Sequence, residues 1–271
     1  KIVYSTCSIH DEENEQVVEI NSLELQEPGV RFIVAINEGP TLGNRFAEVR
    51  RIDHVRDALT QWFKEQTVTS MSDFSLVTNS GIQASMLKNP ADWITTLDAY
   101  QPDMKKASPG LASLSSAVDL ATTATSTTQK NAAILYFTPL PTEDQMDSLN
   151  NIISRAAEAN VRLFIWLAGP QTYAAADEAE LLMQAAEKTD GAFFIFSGSE
   201  ELPNLSSYLD PLSFIYELKY NSEIKKSGDY TLSVQVSQGQ TKLESDPVSF
   251  TINVQPPNPM FLSPQISIVR S

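Results

Sequence analysis

The sequence predicts an α/β fold with a mostly parallel central sheet and helices on both faces, followed by a small antiparallel, β-sandwich-like element. Two observations carry this prediction. Between residues 30 and 196, short apolar runs alternate with longer segments of helical period, which is typical of parallel strands joined by crossover helices. After Asp210 and Pro211 the helical period stops, and strand-like runs with a period of two begin.

The first strand is predicted at residues 32–36, where every side chain is apolar, as in a strand buried on both faces. A helix follows, because apolar side chains recur there at spacings of three and four: Ile52, Val55, Leu59, Trp62 and Phe63. Residues 74–78 and 82–86 are predicted to form a hairpin around Asn79-Ser80-Gly81, a typical turn composition. One edge of the sheet is therefore expected to be antiparallel.

The rest of the α/β region continues this alternation. Helices are predicted at 111–121, 146–156, 179–186 and 201–208, and strands at 132–137, 161–167 and 192–196. Three further strands are expected at 214–220, 230–236 and 248–254. We divide the chain into an N-terminal strand or linker (1–27), the α/β domain (28–209), the β-rich element (210–255), and a proline-rich linker that begins a further module (256–271).

Composition excludes several classes of protein. The 271 residues include 34 acidic and 19 basic side chains, a formal charge of −15, which disfavours nucleic acid and anionic lipid as partners. No apolar run approaches the roughly 20 residues of a membrane span, so a membrane contact would need an anchor outside this sequence. Cys7 is the single cysteine.

The sequence begins at Lys1 without a signal peptide, so we expect a processed product or a piece of a longer protein.

The order of elements, and the segments at their ends, are similar to the von Willebrand factor type A family. Residues 32–41, Phe-Ile-Val-Ala-Ile-Asn-Glu-Gly-Pro-Thr, lie where that family has an apolar strand ending in Asp-x-Ser-x-Ser. Ser108-Pro109 lies where it has a metal-contacting threonine, and Ile134 to Pro139 lies where a strand ends in Thr-Asp-Gly. The resemblance covers about two thirds of the chain and implies a Rossmann-like domain used for protein recognition.

The resemblance also implies a metal-ion-dependent adhesion site, and here the chain departs from the family. Asn37 replaces the first aspartate, Gly39 lacks a hydroxyl, and Pro139 replaces the second aspartate. Glu38 is expected to face away from the side of Asn37, because successive side chains of a strand alternate. Neutral oxygens alone offset the dehydration of a small divalent ion poorly, so we predict a degenerate site without metal or cofactor.

The first residues carry a separate resemblance. Ile2 to Ile9, followed by Glu12 to Glu15 and Val17-Val18, resembles a motif of the Sun-family RNA cytosine-5 methyltransferases. That resemblance implies a catalytic role for Cys7, but no glycine-rich S-adenosylmethionine loop precedes it, and the acidic charge disfavours RNA. We interpret Cys7 as an inert thiol, in a segment that is similar by chance or that joins unrelated sequences.

These observations favour a non-enzymatic module for protein recognition or adhesion in a larger envelope or extracellular protein. They do not exclude a cytoplasmic location. The predicted binding residues lie at the ends of strands or in the loops between a strand and the next helix, at the carboxyl edge of the sheet. They are Asn37, Glu38, Thr41, Ser108 and Thr138. Alternatively, these side chains only satisfy loop backbone groups, and the domain is a structural spacer. A methyltransferase fragment is a remote third hypothesis. His54, beside Asp53 and Arg56, is expected on the solvent side of the first helix.

Overall fold

The computed structural model describes residues 4–10, 15–66, 72–125, 130–222, 224–238 and 241–254. The strands in these ranges are β1 (Tyr4–His10), β2 (Glu15–Gln26), β3 (Val30–Ile36), β4 (Arg45–Phe46), β5 (Val49–Arg50), β6 (Asp73–Thr78), β7 (Gly81–Leu87), β8 (Asn131–Thr138), β9 (Val161–Ala168), β10 (Ala192–Phe196), β11 (Ile215–Tyr220), β12 (Gly228–Gln238), β13 (Thr241–Glu244) and β14 (Val248–Ile252). The α-helices are α1 (Pro40–Gly43), α2 (Arg51–Glu65), α3 (Pro90–Ala99), α4 (Ala112–Thr125), α5 (Met146–Glu158), α6 (Asp177–Lys188) and α7 (Leu205–Leu209). The proline-rich segment predicted at 256–271 lies outside the described residues.

Residues Leu25–Ile215 form one compact unit built on a six-stranded sheet. The strand order is β10-β9-β8-β3-β6-β7. All neighbours are parallel except β6 and β7, which form the antiparallel hairpin at one edge. The apolar strand β3 therefore lies inside the sheet, as its sequence predicts, and the α/β fold class is confirmed.

Helices cover both faces of this sheet, because alternate strand residues point to opposite sides. One core holds Phe32, Val34 and Ile36 of β3 with the apolar faces of α2, α3 and α7. The other holds Ile33 and Ala35 with those of α4, α5 and α6. The five side chains predicted to share one face of the first helix are all buried in α2. Each crossover helix therefore stabilises the fold by removing an apolar stripe from water.

The other unit consists of residues 1–24 and 216–271 and contains an antiparallel sheet. Its strands follow the order β11-β2-β1-β12-β13, and β14 also pairs with β12. Tyr230 packs there with Leu232, Phe250 and Ile252. The structure thus differs from the sequence-based division in one respect: β1 and β2 share a sheet with the C-terminal strands.

Sequence reasoning missed some elements and misplaced others. Helix α3, the hairpin of β4 and β5, and β13 were not predicted. The closing helix was predicted from residue 201 but begins at Leu205, because Asn204 caps it by accepting a hydrogen bond from the Ser206 amide. The expectation for His54 is wrong: its Nε2 is buried with no hydrogen-bond partner in the described part of the chain, and its ring packs edge-on against Phe196 at 5.8 Å between centroids. No helix in the described ranges has the length and hydropathy of a membrane span.

Candidate functional site at the carboxyl edge of the sheet

Three neighbouring strands bring the predicted site together. Strands β6, β3 and β8 are adjacent and parallel, so their carboxyl ends meet at one edge of the sheet. Asn37 follows β3, Asn79 follows β6, and Thr138 ends β8. The Asn37 amide also donates to the Phe137 carbonyl at 2.9 Å, which extends the ladder by one residue. The proximity of Asn37 and Thr138 that the strand order predicts is thus confirmed.

The Asn37 side chain is the centre of this edge and is almost fully buried, with 1% of its surface exposed. Its Oδ1 accepts a hydrogen bond from the Gly110 backbone N–H at 2.8 Å. Its Nδ2 donates to the Thr138 Oγ1 at 3.0 Å and to the Tyr136 hydroxyl at 3.1 Å. Because a backbone N–H can only donate, the oxygen of the amide must face Gly110, and the nitrogen must face the two hydroxyls.

The two hydroxyls beside Asn37 are also committed to internal contacts. Thr138 Oγ1 donates to the Pro139 carbonyl at 2.8 Å. Burial raises the pKa of Tyr136 to about 12, although hydrogen bonds with Thr138 and Asn37 work in the opposite direction. Sequence reasoning missed Tyr136, because the sequence of an apolar strand does not show that the hydroxyl group of one of its aromatic residues lies at the sheet edge.

Glu38 points to the opposite side of the sheet, as the alternation predicts. Its Oε1 accepts a hydrogen bond from the Tyr100 hydroxyl at 2.8 Å. Burial, and then this contact with the carboxylate, raise the pKa of Tyr100. Only 8% of Glu38 is exposed, so its carboxylate lies beneath Tyr100 and away from the Asn37 side chain.

Asn79 and Pro109 fix the loops around the edge. The Asn79 Nδ2 donates to the carbonyls of Glu38 and Ser108, both at 3.0 Å, and so joins the loop after β3 to the segment before α4. A Cβ on Gly39 would lie 2.5 Å from the Pro109 Cγ. Gly39 therefore does more than omit a hydroxyl, because Pro109 occupies the space that a side chain at residue 39 would need.

The arrangement does not fit a divalent cation. The Asn37 atom that faces Thr138 and Tyr136 is an amide nitrogen with its hydrogens directed at them, and such a group repels a cation. The carboxylate of Glu38 is turned to the other side of the sheet. The described residues also contain no cluster of three or more histidine, cysteine, aspartate or glutamate side chains that could hold a metal. Mg²⁺ and Ca²⁺ prefer several anionic or carbonyl oxygens. The carbonyls of Glu38, Ser108 and Pro139 at this edge already accept hydrogen bonds from Asn79 and Thr138.

The five predicted binding residues lie at the same edge but in different environments. Asn37, Glu38 and Thr138 are buried and hydrogen-bonded within the protein, so their side chains hold loops together and are not presented to a ligand. Thr41 is half-buried, and Ser108 is exposed. Of the five residues, only Thr41 and Ser108 therefore present side-chain surface to solvent.

Sequence reasoning missed a prominent feature of this edge, the hairpin of β4 and β5. Phe46 and Val49 pair across it, with 45% and 36% of their surfaces exposed. Its two-residue turn, Ala47-Glu48, has positive φ angles of 47° and 68°. Positive φ is typical of glycine and asparagine, so this turn carries no recognisable sequence signal.

Arg51 and the loop after β10 hold this hairpin in place. The Arg51 guanidinium donates to the Ser197 carbonyl at 2.7 Å and to the Thr41 carbonyl at 3.0 Å. Gly198, with φ of +114°, lies directly against the Phe46 side chain. Glu200 closes the same loop. Its burial would raise its pKa, but hydrogen bonds from Gln171 and Ser197 outweigh that effect and lower the pKa to about 2.

The topology of the unit agrees with the fold that the family resemblance implies. The unit has a central parallel strand flanked by β6 and β8, one antiparallel edge strand, helices on both faces, and three loops that converge after the central strands. This is the fold of a von Willebrand factor type A domain. At the carboxyl edge of this unit, a neutral hydrogen-bond network is centred on Asn37.

Comparison with known proteins gives similarity of structure only. No protein-family model matches the sequence, and no curated protein matches it. An aerotolerance-related membrane protein from Bacteroides fragilis NCTC 9343 is 11% identical, with 68% of this chain and 98% of that chain covered and a TM-score of 0.49. The SpRpn10 VWA domain is 12% identical (62% and 87% covered, TM-score 0.47), and the TFIIH p34 N-terminal domain is 15% identical (62% and 90% covered, TM-score 0.40).

Proposed function

We propose that the type A-like unit is a non-enzymatic protein-recognition module that works without a metal ion. Its contact surface is the hairpin of β4 and β5 together with the exposed parts of the loops at Thr41 and Ser108. The observation that carries this proposal is the exposed pair of Phe46 and Val49 on a hairpin fixed by internal contacts. Exposed aromatic anchors on preorganised elements are typical of binding hot spots.

The buried polar network supports this surface from below. Asn37 joins β8 to the segment before α4, and Asn79 joins that segment to the loop after β3. Arg51 links the loop at Thr41 to the loop at Ser197. A partner would therefore meet loops that are already ordered, and ordering them on binding would cost little conformational entropy.

Site-specific photo-crosslinking tests the position of the surface. We would place p-benzoylphenylalanine at position 46 and, as a matched control, at Met183, which is also exposed but lies on α6. A discrete adduct is expected from position 46 alone, and excess unlabelled chain should suppress it. Equal adducts from both positions would contradict the proposal.

A binding assay with the purified partner then separates recognition from a spacer role. Phe46→Asp should weaken binding about thirtyfold, the effect of losing a hot-spot contact of about 2 kcal/mol. Met183→Asp should leave affinity unchanged. If Phe46→Asp bound the partner as tightly as the natural chain, the hairpin would not be the contact surface. If no partner bound the natural chain, the structural-spacer hypothesis would replace the recognition hypothesis.

We also propose that the chain acts in adhesion as part of a larger envelope or extracellular protein, with the resemblance to the type A family as support. Antibody labelling of intact source cells tests this location. Labelling without permeabilisation is the expected result. Labelling only after permeabilisation would place the protein inside the cell.

A further inference from the structure

A second feature lies away from the hairpin surface, between α3 and the edge of the sheet at β6 and β7. It is a cavity of about 420 Å³. Its walls include Gln83 of β7, Thr95 and Thr96 of α3, and the segment Tyr100-Gln101-Pro102. This volume is within the range of small-molecule sites. Among the described residues, no charged side chain lines the cavity, and its walls are unusually polar for such a site.

Irregular strand pairing shapes one wall of this cavity. Leu76 pairs with Ala84 and Val77 pairs with Ile82, so Gln83 is an extra residue in β7. Bulges of this kind redirect a side chain and often occur beside functional sites. The bulge places Gln83 in the cavity wall opposite α3.

Almost all polar hydrogen atoms of the side chains that line the cavity are donated to acceptors within the protein. Gln83 Nε2 donates to the Gly81 carbonyl and the Thr78 hydroxyl, both at 3.2 Å. The Thr95 and Thr96 hydroxyls each donate at 2.9 Å to carbonyls four residues earlier in the helix.

Tyr100 and Gln101 complete the pattern. The Tyr100 hydroxyl donates to Glu38, and Gln101 Nε2 donates to the Asp98 carbonyl at 3.1 Å. The cavity therefore offers mainly acceptors: the Oε1 atoms of both glutamines and the lone pairs of three hydroxyls.

The acidic side chains around the cavity have the same preference. Helix α3 carries Asp92 and Asp98, both exposed, and no basic residue. The Glu38 carboxylate lies behind the Tyr100 hydroxyl. Arg50 and Arg56 line a separate, much smaller cavity beyond Tyr100 and Pro102, where both pair with Asp53. A ligand in the larger cavity thus meets acceptors and nearby carboxylates.

We propose that this cavity binds a cationic hydrogen-bond donor of the guanidinium or alkyl-ammonium type, either a free small molecule or an arginine or lysine side chain of a peptide. Several donors on one cation match several acceptors, and the formal charge of −15 on the chain attracts such a ligand. This inference uses residues apart from the hairpin surface and does not depend on the proposed function.

Titrations of the full chain followed by NMR test the ligand class. The probes are agmatine, N-acetyl-arginine amide, and N-acetyl-citrulline amide, a neutral isostere of the arginine probe. Saturable shifts confined to residues 76–102 are expected with agmatine and the arginine amide, and at least fivefold weaker binding with the citrulline amide. Equal binding of the two amides, or no shifts with either cation, would overturn the proposal. The pentapeptide Gly-Gly-Arg-Gly-Gly distinguishes the sources: tighter binding than agmatine indicates a peptide ligand, and weaker binding a free cation.

Charge substitutions at Gln101, an exposed wall residue, test the position. Gln101→Glu should tighten agmatine binding about fivefold and Gln101→Lys should weaken it by a similar factor, the size expected for one added charge near the ligand at low ionic strength. Gln184→Glu and Gln184→Lys, on the exposed surface of α6, control for net charge. Equal effects at both positions would show that agmatine responds only to the overall field, which contradicts a defined site.

Discussion

Single residues determine what the carboxyl edge can hold. The amide of Asn37 satisfies a backbone donor on one side and two hydroxyls on the other. Sequence reasoning placed Asn37, Thr138 and Glu38 correctly, because strand order and side-chain alternation are enough to predict those positions. It could not predict that Asn37 is buried, since its partners Tyr136 and Gly110 lie 99 and 73 residues away along the chain.

Asn37→Asp is expected to destabilise the unit, because it places a carboxylate in a buried site with no basic side chain among its partners. The cost is about 1–3 kcal/mol at neutral pH. Burial would raise the folded-state pKa of the new carboxyl group above its unfolded value, so the cost should be absent below the unfolded pKa and grow as pH rises. Urea unfolding at pH 4 and pH 7 measures this difference. An equal effect at both pH values would contradict the account.

The amino edge of the sheet has its own buried charges. Asp73 pairs with Arg31 at 3.0 Å and with Lys130 at 3.1 Å, and the side chains of Arg31 and Asp73 are each only 3% exposed. Asp73→Ala would leave buried positive charge uncompensated and should cost about 3–5 kcal/mol in urea unfolding. Asp144→Ala, at an exposed site, is the control. If Asp73→Ala lowered the free energy of unfolding as little as the control does, the ion pairs of Asp73 would be solvated.

At the scale of elements, long periodic segments were predicted well and short ones were not. Helix α2 matches its apolar stripe residue for residue. Helix α3 was missed although Asn89 caps it and Pro90 opens it, because its buried stripe contains only Trp93 and Leu97 beyond that proline. The β4 and β5 hairpin was missed because its strands have two residues each, too few to show a period.

The hairpin and the loop after β10 form a tightly packed contact that a methyl group should break. Gly198→Ala would place a Cβ against Phe46 at a residue whose φ is +114°. We expect the free energy of unfolding to fall by about 1–3 kcal/mol and the hairpin to be displaced. Thermal unfolding measures the loss, and NMR shifts at residues 45–50 report the displacement. Gly110→Ala, where a Cβ meets no atom within 4 Å, should be milder. Equal effects would refute the contact.

The same loop should give stability a component that depends on pH. Hydrogen bonds lower the pKa of Glu200 from 4.5 to about 2, so its contribution is present above pH 4.5 and is lost as pH falls towards 2. Glu200→Gln should therefore be less stable than the natural chain at pH 7, and the difference should shrink between pH 4.5 and 2. A difference that stays constant over that range would mean that the carboxylate is not held by the loop.

At the scale of the whole molecule, the chain contains two units, and the N-terminal strands belong with the C-terminal ones. Strand β1 pairs with β12 over seven residues, from Tyr4 with Ser237 to His10 with Thr231. The sequence could not show this pairing, because partners more than 200 residues apart leave no local pattern. The Sun-like motif thus lies partly in β1 and β2, while the side chain of Cys7 is outside what the structure describes.

The central claim, a type A fold whose recognition edge works without metal, is tested most directly by thermal unfolding of the full chain with millimolar Mg²⁺, Mn²⁺ or Ca²⁺ and with a chelator. A micromolar ion site would stabilise the folded state by about 4 kcal/mol at a thousandfold excess of ion and raise Tm by several degrees. We predict the same Tm in all four conditions, because the Asn37 amide directs its hydrogens at Thr138 and Tyr136 and Glu38 faces Tyr100. A rise of several degrees with any of the three ions would contradict the account and make metal-dependent adhesion the leading function.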